Sequence, residues 1–177
     1  MANTYYKIDT ATGDGTNSQV DFVLIPNTYT DLMMRISGKT TTTSNLWDSF
    51  YVRFNNDSGA NYTTKRYLDN QGTATANSVS SQTELNTIGY VNTSHSTTPY
   101  VASLNTLYIM NYAQTQKKPV WVNSIQEGFV DTTEIYSPVA ASGIWSGTAA
   151  ITTISVYCGR GAWTTATSFD LYGIKST

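Results

Sequence analysis

Apolar side chains recur at every second position of this chain and almost nowhere at helical spacing, and that is what most constrains its fold. In "DLMMRIS" (31–37), Leu32, Met34 and Ile36 share one face while Met33, Arg35 and Ser37 take the other. In "SFYVRFN" (49–55), Phe50, Val52 and Phe54 oppose Tyr51 and Arg53. The same period runs through "SLNTLYIMNYA" (103–113), "KPVWVNSI" (118–125), "AAITTISVYCG" (149–159) and "SFDLYGIK" (168–175). "DFVLIP" (21–26) reads as a short buried strand closed by Pro26. Weaker strands are expected near 65–69, 87–92 and 129–136, and one short helix over Ser80 to Asn86. The long connections 69–86 and 92–102 suit a Greek key better than a meander.

An all-β chain of 177 residues must stack or close its sheets to bury its apolar faces. The expectation is a jelly-roll-like β-sandwich of two antiparallel sheets over 20–177, with layers about 10 Å apart. Phe22, Leu24, Leu32, Met34, Ile36, Phe50, Val52, Phe54, Leu107, Ile109, Ile154, Val156, Phe169 and Leu171 are the expected core. Residues 1–19 are polar and rich in Gly and Thr. They read as an extended N-terminal arm, ordered by something outside the domain, with Tyr5, Tyr6 and Ile8 as its anchors.

Charge narrows the function. Charged residues make up 12% of the chain, about half the usual globular share of roughly 25%. The net charge is −2, and Lys117-Lys118 is the longest basic run. A polyanion binder needs a basic patch, so nucleic acid is not an expected partner. No run of about 18 apolar residues exists, so no membrane-spanning helix is expected. The N-terminus lacks the basic start and apolar stretch of a secretory signal. Thr, Ser, Asn and thirteen Tyr wet the surface in place of ions.

Candidate chemistry is sparse. Asn55-Asn56-Asp57-Ser58-Gly59 packs oxygen-bearing side chains as a calcium loop would, but it has one carboxylate and no closing Glu. Those residue types also build turns, so a hairpin turn is expected, with calcium held weakly at most at Asp57. "TGDGTN" (12–17) reads as a turn in the same way. His95, the sole histidine, sits in a polar loop, and no nucleophile elbow occurs. One His and one Cys do not make a zinc site. Cys158 lies in an alternating run and reads as a small buried hydrophobe. Asp48, Asp57, Asp69, Glu84, Glu127, Asp131 and Glu134 fall mostly at strand ends or in loops, where solubility accounts for them. No enzyme activity, metal or cofactor is expected. Trp47, Trp145 and Trp163 lie before a strand or in Gly/Ser/Thr-rich loops. Such tryptophans either stack on a ligand or fold back as lids over the ends of a sandwich.

The pieces "YVRFNNDSGANY", "WSGTAAITTI" and "FDLYGIKS", set in the strand pattern of 20–177, resemble small virion-surface proteins of tailed bacteriophages. These are head decoration (cement) proteins or tail-fibre domains. The resemblance implies an all-β fold, homo-oligomerisation and a place on the virion, and it carries over no active-site residue. For a chain this short it favours a decoration protein on the capsid surface, bound to the major capsid protein and assembled as a trimer where three capsomers meet. A tail-fibre or receptor-binding module that reads a host surface glycan is the alternative.

Overall fold

A computed structural model describes residues 3–70, 73–95, 102–130, 133–136 and 138–176. The described residues form strands and turns without a helix. One layer contains, in spatial order, β1 (Asn3–Thr12), β14 (Ser168–Ser176), β3 (Asp31–Thr40), β8 (Ser103–Ile109), β9 (Lys118–Ile125), β12 (Val139–Trp145), β5 (Tyr62–Asn70) and β6 (Thr73–Gln82), each antiparallel to the next. A smaller antiparallel layer contains β2 (Gln19–Phe22), β13 (Ile154–Cys158), β4 (Trp47–Phe54) and β7 (Leu85–Thr93). The end of β3 joins the layers, because Lys39 and Thr40 pair in parallel with Asn92 and Thr93. A separate hairpin is formed by β10 (Glu127–Val130) and β11 (Thr133–Tyr136).

The four-stranded layer lies on one face of the larger sheet. Ser124 Oγ on β9 accepts from the Tyr90 amide of β7 at 3.0 Å and donates to the Tyr90 carbonyl at 3.2 Å. The Asn86 amide donates to Thr64 Oγ1 of β5 at 3.1 Å. Two glycines let the strands approach this closely. A Cβ at Gly89 would lie 2.3 Å from the Phe50 ring, and one at Gly143 would lie 2.5 Å from Leu85. The expected inward residues other than Leu24 meet in one core, joined by Tyr62, Leu85, Ile88, Tyr112, Val120, Val122, Trp145 and Trp163.

Several expectations change. Leu24 is 90% exposed rather than buried. The strand ends at Phe22, Leu24 takes a left-handed φ of 55°, and Ile25 enters the core in its place, its amide bonded to the Thr152 carbonyl. Residues 80–86 form no helix. They turn the chain from β6 into β7, with Ser81 at a φ of 55°. The expected 69–86 connection is mostly β6, whose polar sequence shows no burial period yet pairs along β5. The expected arm is a strand of the domain itself, since β1 pairs with β14 along its length. Its anchors serve the chain that carries them. Ile8 packs on the core, Tyr6 lies 5.8 Å from Tyr29, and Lys175 sits over both rings.

Residues 55–61 do turn the chain, but not into a hairpin. Asn55 and Asn56 are both left-handed, and the Asp57 amide bonds to the Phe54 carbonyl. The turn is a corner between layers, because β4 pairs with β13 and β7 while β5 pairs with β12 and β6. The buried Tyr62 reaches back across it. Its hydroxyl accepts from the Phe54 amide at 3.0 Å and donates to the Phe54 carbonyl at 3.2 Å. Tyr62→Phe removes the acceptor of a buried amide, so it is expected to cost about 1–3 kcal/mol. At about 2–4 °C per kcal/mol for a chain of this size, calorimetry should show a clear fall in Tm. An unchanged Tm would mean that the corner does not depend on this hydroxyl.

Candidate functional site

With one face of the larger sheet committed to the core, its other face meets solvent. Burial alternates strictly along β9, so Val120 and Val122 point inward and Trp121 points out. Strand register then builds rows across the outer face. One runs Tyr108, Trp121, Ser142, Lys65, Ser78, and the next runs Thr106, Asn123, Ala140, Tyr67, Ala76. Trp121 is 42% exposed and Tyr67 56% exposed. Leu104, Met110, Ile125 and Ile144 are exposed on or beside the same face. Three hollows lie along it: one of about 470 Å³ shares Tyr67 and Ala140 with a second of about 500 Å³, and Lys65, Trp121 and Ser142 with a third of about 380 Å³. A smaller hollow of about 300 Å³ lies beside β1, between Ile8, Phe22, Leu24 and Tyr29. The outer face therefore offers flat aromatic and aliphatic surface, amides and hydroxyls, with Lys65 as a nearby cation. That arrangement suits binding.

The tryptophans singled out in the sequence lie elsewhere, and none forms an open aromatic platform. Trp163 is fully buried, edge-on to Phe169 at 5.0 Å. Trp145 is 3% exposed, stacks on Tyr62 and packs tilted against Phe54. Trp47 is half-buried between Tyr90, at 4.7 Å, and the Arg160 guanidinium, also at 4.7 Å. Gly and Ser around Trp145 and Trp163 suggested open loops, but both rings turn into the core. The signal for Trp121 was present in the phase of "VWV".

Asp57 answers the calcium question locally. Its Oδ1 accepts from the Gly59 amide at 2.9 Å. Its Oδ2 accepts from Asn61 Nδ2 at 2.9 Å and from Trp145 Nε1 at 2.6 Å. Burial alone would raise its pKa, but these donors and nearby Arg53 outweigh it and hold the carboxyl below the usual range. Both oxygens serve the corner. In 12–17, Asp14 accepts from the Thr16 and Asn17 amides, and Gly15 takes a φ of 82°, as a turn requires. His95 is an exposed turn residue. Among the described residues no three His, Cys, Asp or Glu side chains group to hold a metal ion. Asp131 lies outside the described residues.

Cys158 and Lys118, which sequence reasoning treated lightly, are both buried. Burial pushes the Cys158 thiol up to about 12, with the Asp48 charge adding to it, and Sγ donates to the Gly161 carbonyl. The thiol stays protonated at neutral pH. Lys118 is also enclosed, its amine donating to the carbonyls of Gln114, Gln116 and Thr148, and burial lowers its pKa.

No protein-family model matches the chain, and no curated protein does. Among solved structures, lectin II from Ulex europaeus aligns over 98% of this chain and 99% of its own, at 9% identity and a TM-score of 0.21. Lectin I from Ulex europaeus, in complex with the methyl glycoside of alpha-L-fucose, aligns over 96% and 91% at 8% identity and a TM-score of 0.17. The structure of infectious bursal disease virus Gx strain aligns over 98% and 39% at 11% identity and a TM-score of 0.13. Likeness at this level carries no argument about what the chain does.

Asp48 yields a pH test. It is fully buried, and desolvation raises its pKa above 3.8 although the Arg160 amide donates to Oδ2 at 3.1 Å and the Arg160 charge acts the other way. A raised acid contributes most when neutral, so its stabilisation is full below the unfolded value and is lost as pH rises through the folded one. Asp48→Asn should match wild type in acid and become the more stable protein as pH rises towards neutral. Chemical denaturation across that range would refute this if the difference stayed constant.

Proposed function

We propose that this chain is a structural protein of a tailed-phage virion, a head decoration protein that binds the major capsid protein and ties its subunits together as a homo-oligomer. The observation that carries the reading is the outer face of the larger sheet, where Trp121, Tyr67, Leu104, Ile125, Ile144 and Met110 stand exposed on or beside a rigid eight-stranded surface. Aromatic side chains on a flat, firmly held sheet are the material of protein interfaces. The sequence resemblance to virion-surface proteins supplies the partner. The low net charge and hydroxyl-rich remainder suit dense coverage of a shell, because crowded like-charged copies repel. On this reading the protein works mechanically. Each copy contributes modest contacts, and an oligomer multiplies them through effective concentration.

One observation favours a second reading. Tyr67 and Trp121 border a hollow with Asn77, Ser78 and Ser142, which pairs aromatic faces with hydrogen-bonding groups as a sugar ring requires. That arrangement would serve a receptor-binding module on a tail fibre that reads a host glycan.

Co-sedimentation with phage capsids stripped of decoration protein separates the two. Trp121→Ala should weaken capsid binding by about 30-fold, the effect of losing roughly 2 kcal/mol at an interface anchor. Capsids saturated by wild type should also resist heat better than bare ones. Unchanged capsid affinity for the variant would remove this face from the interface. Binding to host cells or a glycan array, lost in Trp121→Ala and without capsid binding, would establish the fibre reading.

A further inference from the structure

An edge strand presents a row of unpaired backbone donors and acceptors, and monomeric proteins protect such edges with charge, proline, bulges or short length. Among the described residues the joined sheet has three end strands, β1, β2 and β6, and the first two carry such devices. β1 bears Lys7 and Asp9 and has an irregularity in its register between them. β2 is four residues long and includes Asp21. The third edge, β6, has one, a bulge confined to its last residues, where Ser81 is left-handed. Its ten residues, "TATANSVSSQ", include no charge and no proline. Its register with β5 shifts only at the far end, between Tyr62 and Thr64. Among the described residues β5 is its sole ladder partner, and eight of its ten positions are exposed.

We infer that β6 is a self-association edge, which pairs antiparallel with β6 of a second copy about a two-fold axis perpendicular to the sheet. Such an axis keeps both outer faces on the same side, so residues that face each other must share parity. Centred on Ala76, the pairing sets Ala74 against Ser78 and Thr75 against Asn77. These pairs are small and uncharged, and they bring no like charges together. A strand from a charged foreign partner would find no counter-charge on β6, whereas a second copy matches it by symmetry. Ala76, Asn77 and Ser78 also line the 470 Å³ hollow beside Trp121, so the pairing joins the hollows of two copies into one surface across the axis. The inference goes beyond the capsid reading and stands without it. An isologous contact closes at two copies, whereas the trimer expected from the resemblance would need a different contact.

Sedimentation equilibrium of the purified protein tests this without any capsid. Wild type should sediment at twice the chain mass. Thr75→Lys combined with Asn77→Lys places lysine against lysine at both pairs and should raise the dimer dissociation constant by about tenfold or more, with an unchanged circular dichroism spectrum. Thr75→Lys combined with Asn77→Glu places lysine against glutamate in the same register and should restore the dimer. Amide exchange of wild type adds a reading that needs no variant, since protection over 73–82 should rise with protein concentration. A monomeric or trimeric wild type, a dimer unaffected by the paired lysines, no rescue by the glutamate variant, or concentration-independent exchange would each overturn the proposal.

Discussion

The hydroxyl of Tyr62, bonded to both the amide and the carbonyl of Phe54, holds the two layers of this protein at their corner. Around it Asp57 gathers Gly59, Asn61 and Trp145. Asn55 fastens the opposite loop by accepting from the Thr152 and Thr153 amides and donating to the Ala150 carbonyl. The corner sends β4 to the small layer and β5 to the large one. A four-stranded layer can cover only one side of an eight-stranded sheet, so this connection leaves the other side of the large sheet open. The proposed interaction surface is thus a consequence of how the core is closed.

The core was legible in the sequence because burial imposes a period of two, and the listed apolar positions followed it in every case but Leu24. There a single left-handed residue shifted the phase, and Ile25 took the inward place. Such a shift leaves no trace in an unbroken apolar run. β6 was missed for the opposite reason. Exposed on both faces, it has no burial pattern to read and is held by its backbone ladder. β1 looked like a free arm because its exposed residues outnumber Ile8, yet β14 supplies its hydrogen bonds. The asparagine-rich turn was read correctly as a turn and wrongly as a hairpin, because local residue types set a reversal and only distant pairing decides which sheet comes next.

The same limit governed the candidate site. Loop composition left Trp145 and Trp163 open as ligand platforms or as lids that fold back on the sandwich, and both turn inward. Trp121 sat between two valines whose inward phase required it to face out, and the strand pattern alone contained that information. The remaining chemical groups answer to stability. Asp57 serves the corner, Cys158 is a protonated core thiol, and Asp48 bears the cost of burial. What the fold offers outward is a surface of aromatic rings, aliphatic side chains, hydroxyls and amides, with few charges, Lys65 among them.

The claim on which the functional reading rests is that Trp121 is the solvent-facing tryptophan of an uncovered sheet, while Trp145 and Trp163 are core. Acrylamide quenching of tryptophan fluorescence, comparing wild type with Trp121→Phe and Trp163→Phe, tests it directly. The account predicts that Trp121→Phe removes most of the readily quenched emission and that Trp163→Phe leaves that component in place. Loss of the quenched component in Trp163→Phe, with Trp121→Phe unchanged, would show that the loops present the aromatic surface and that the sheet face is covered.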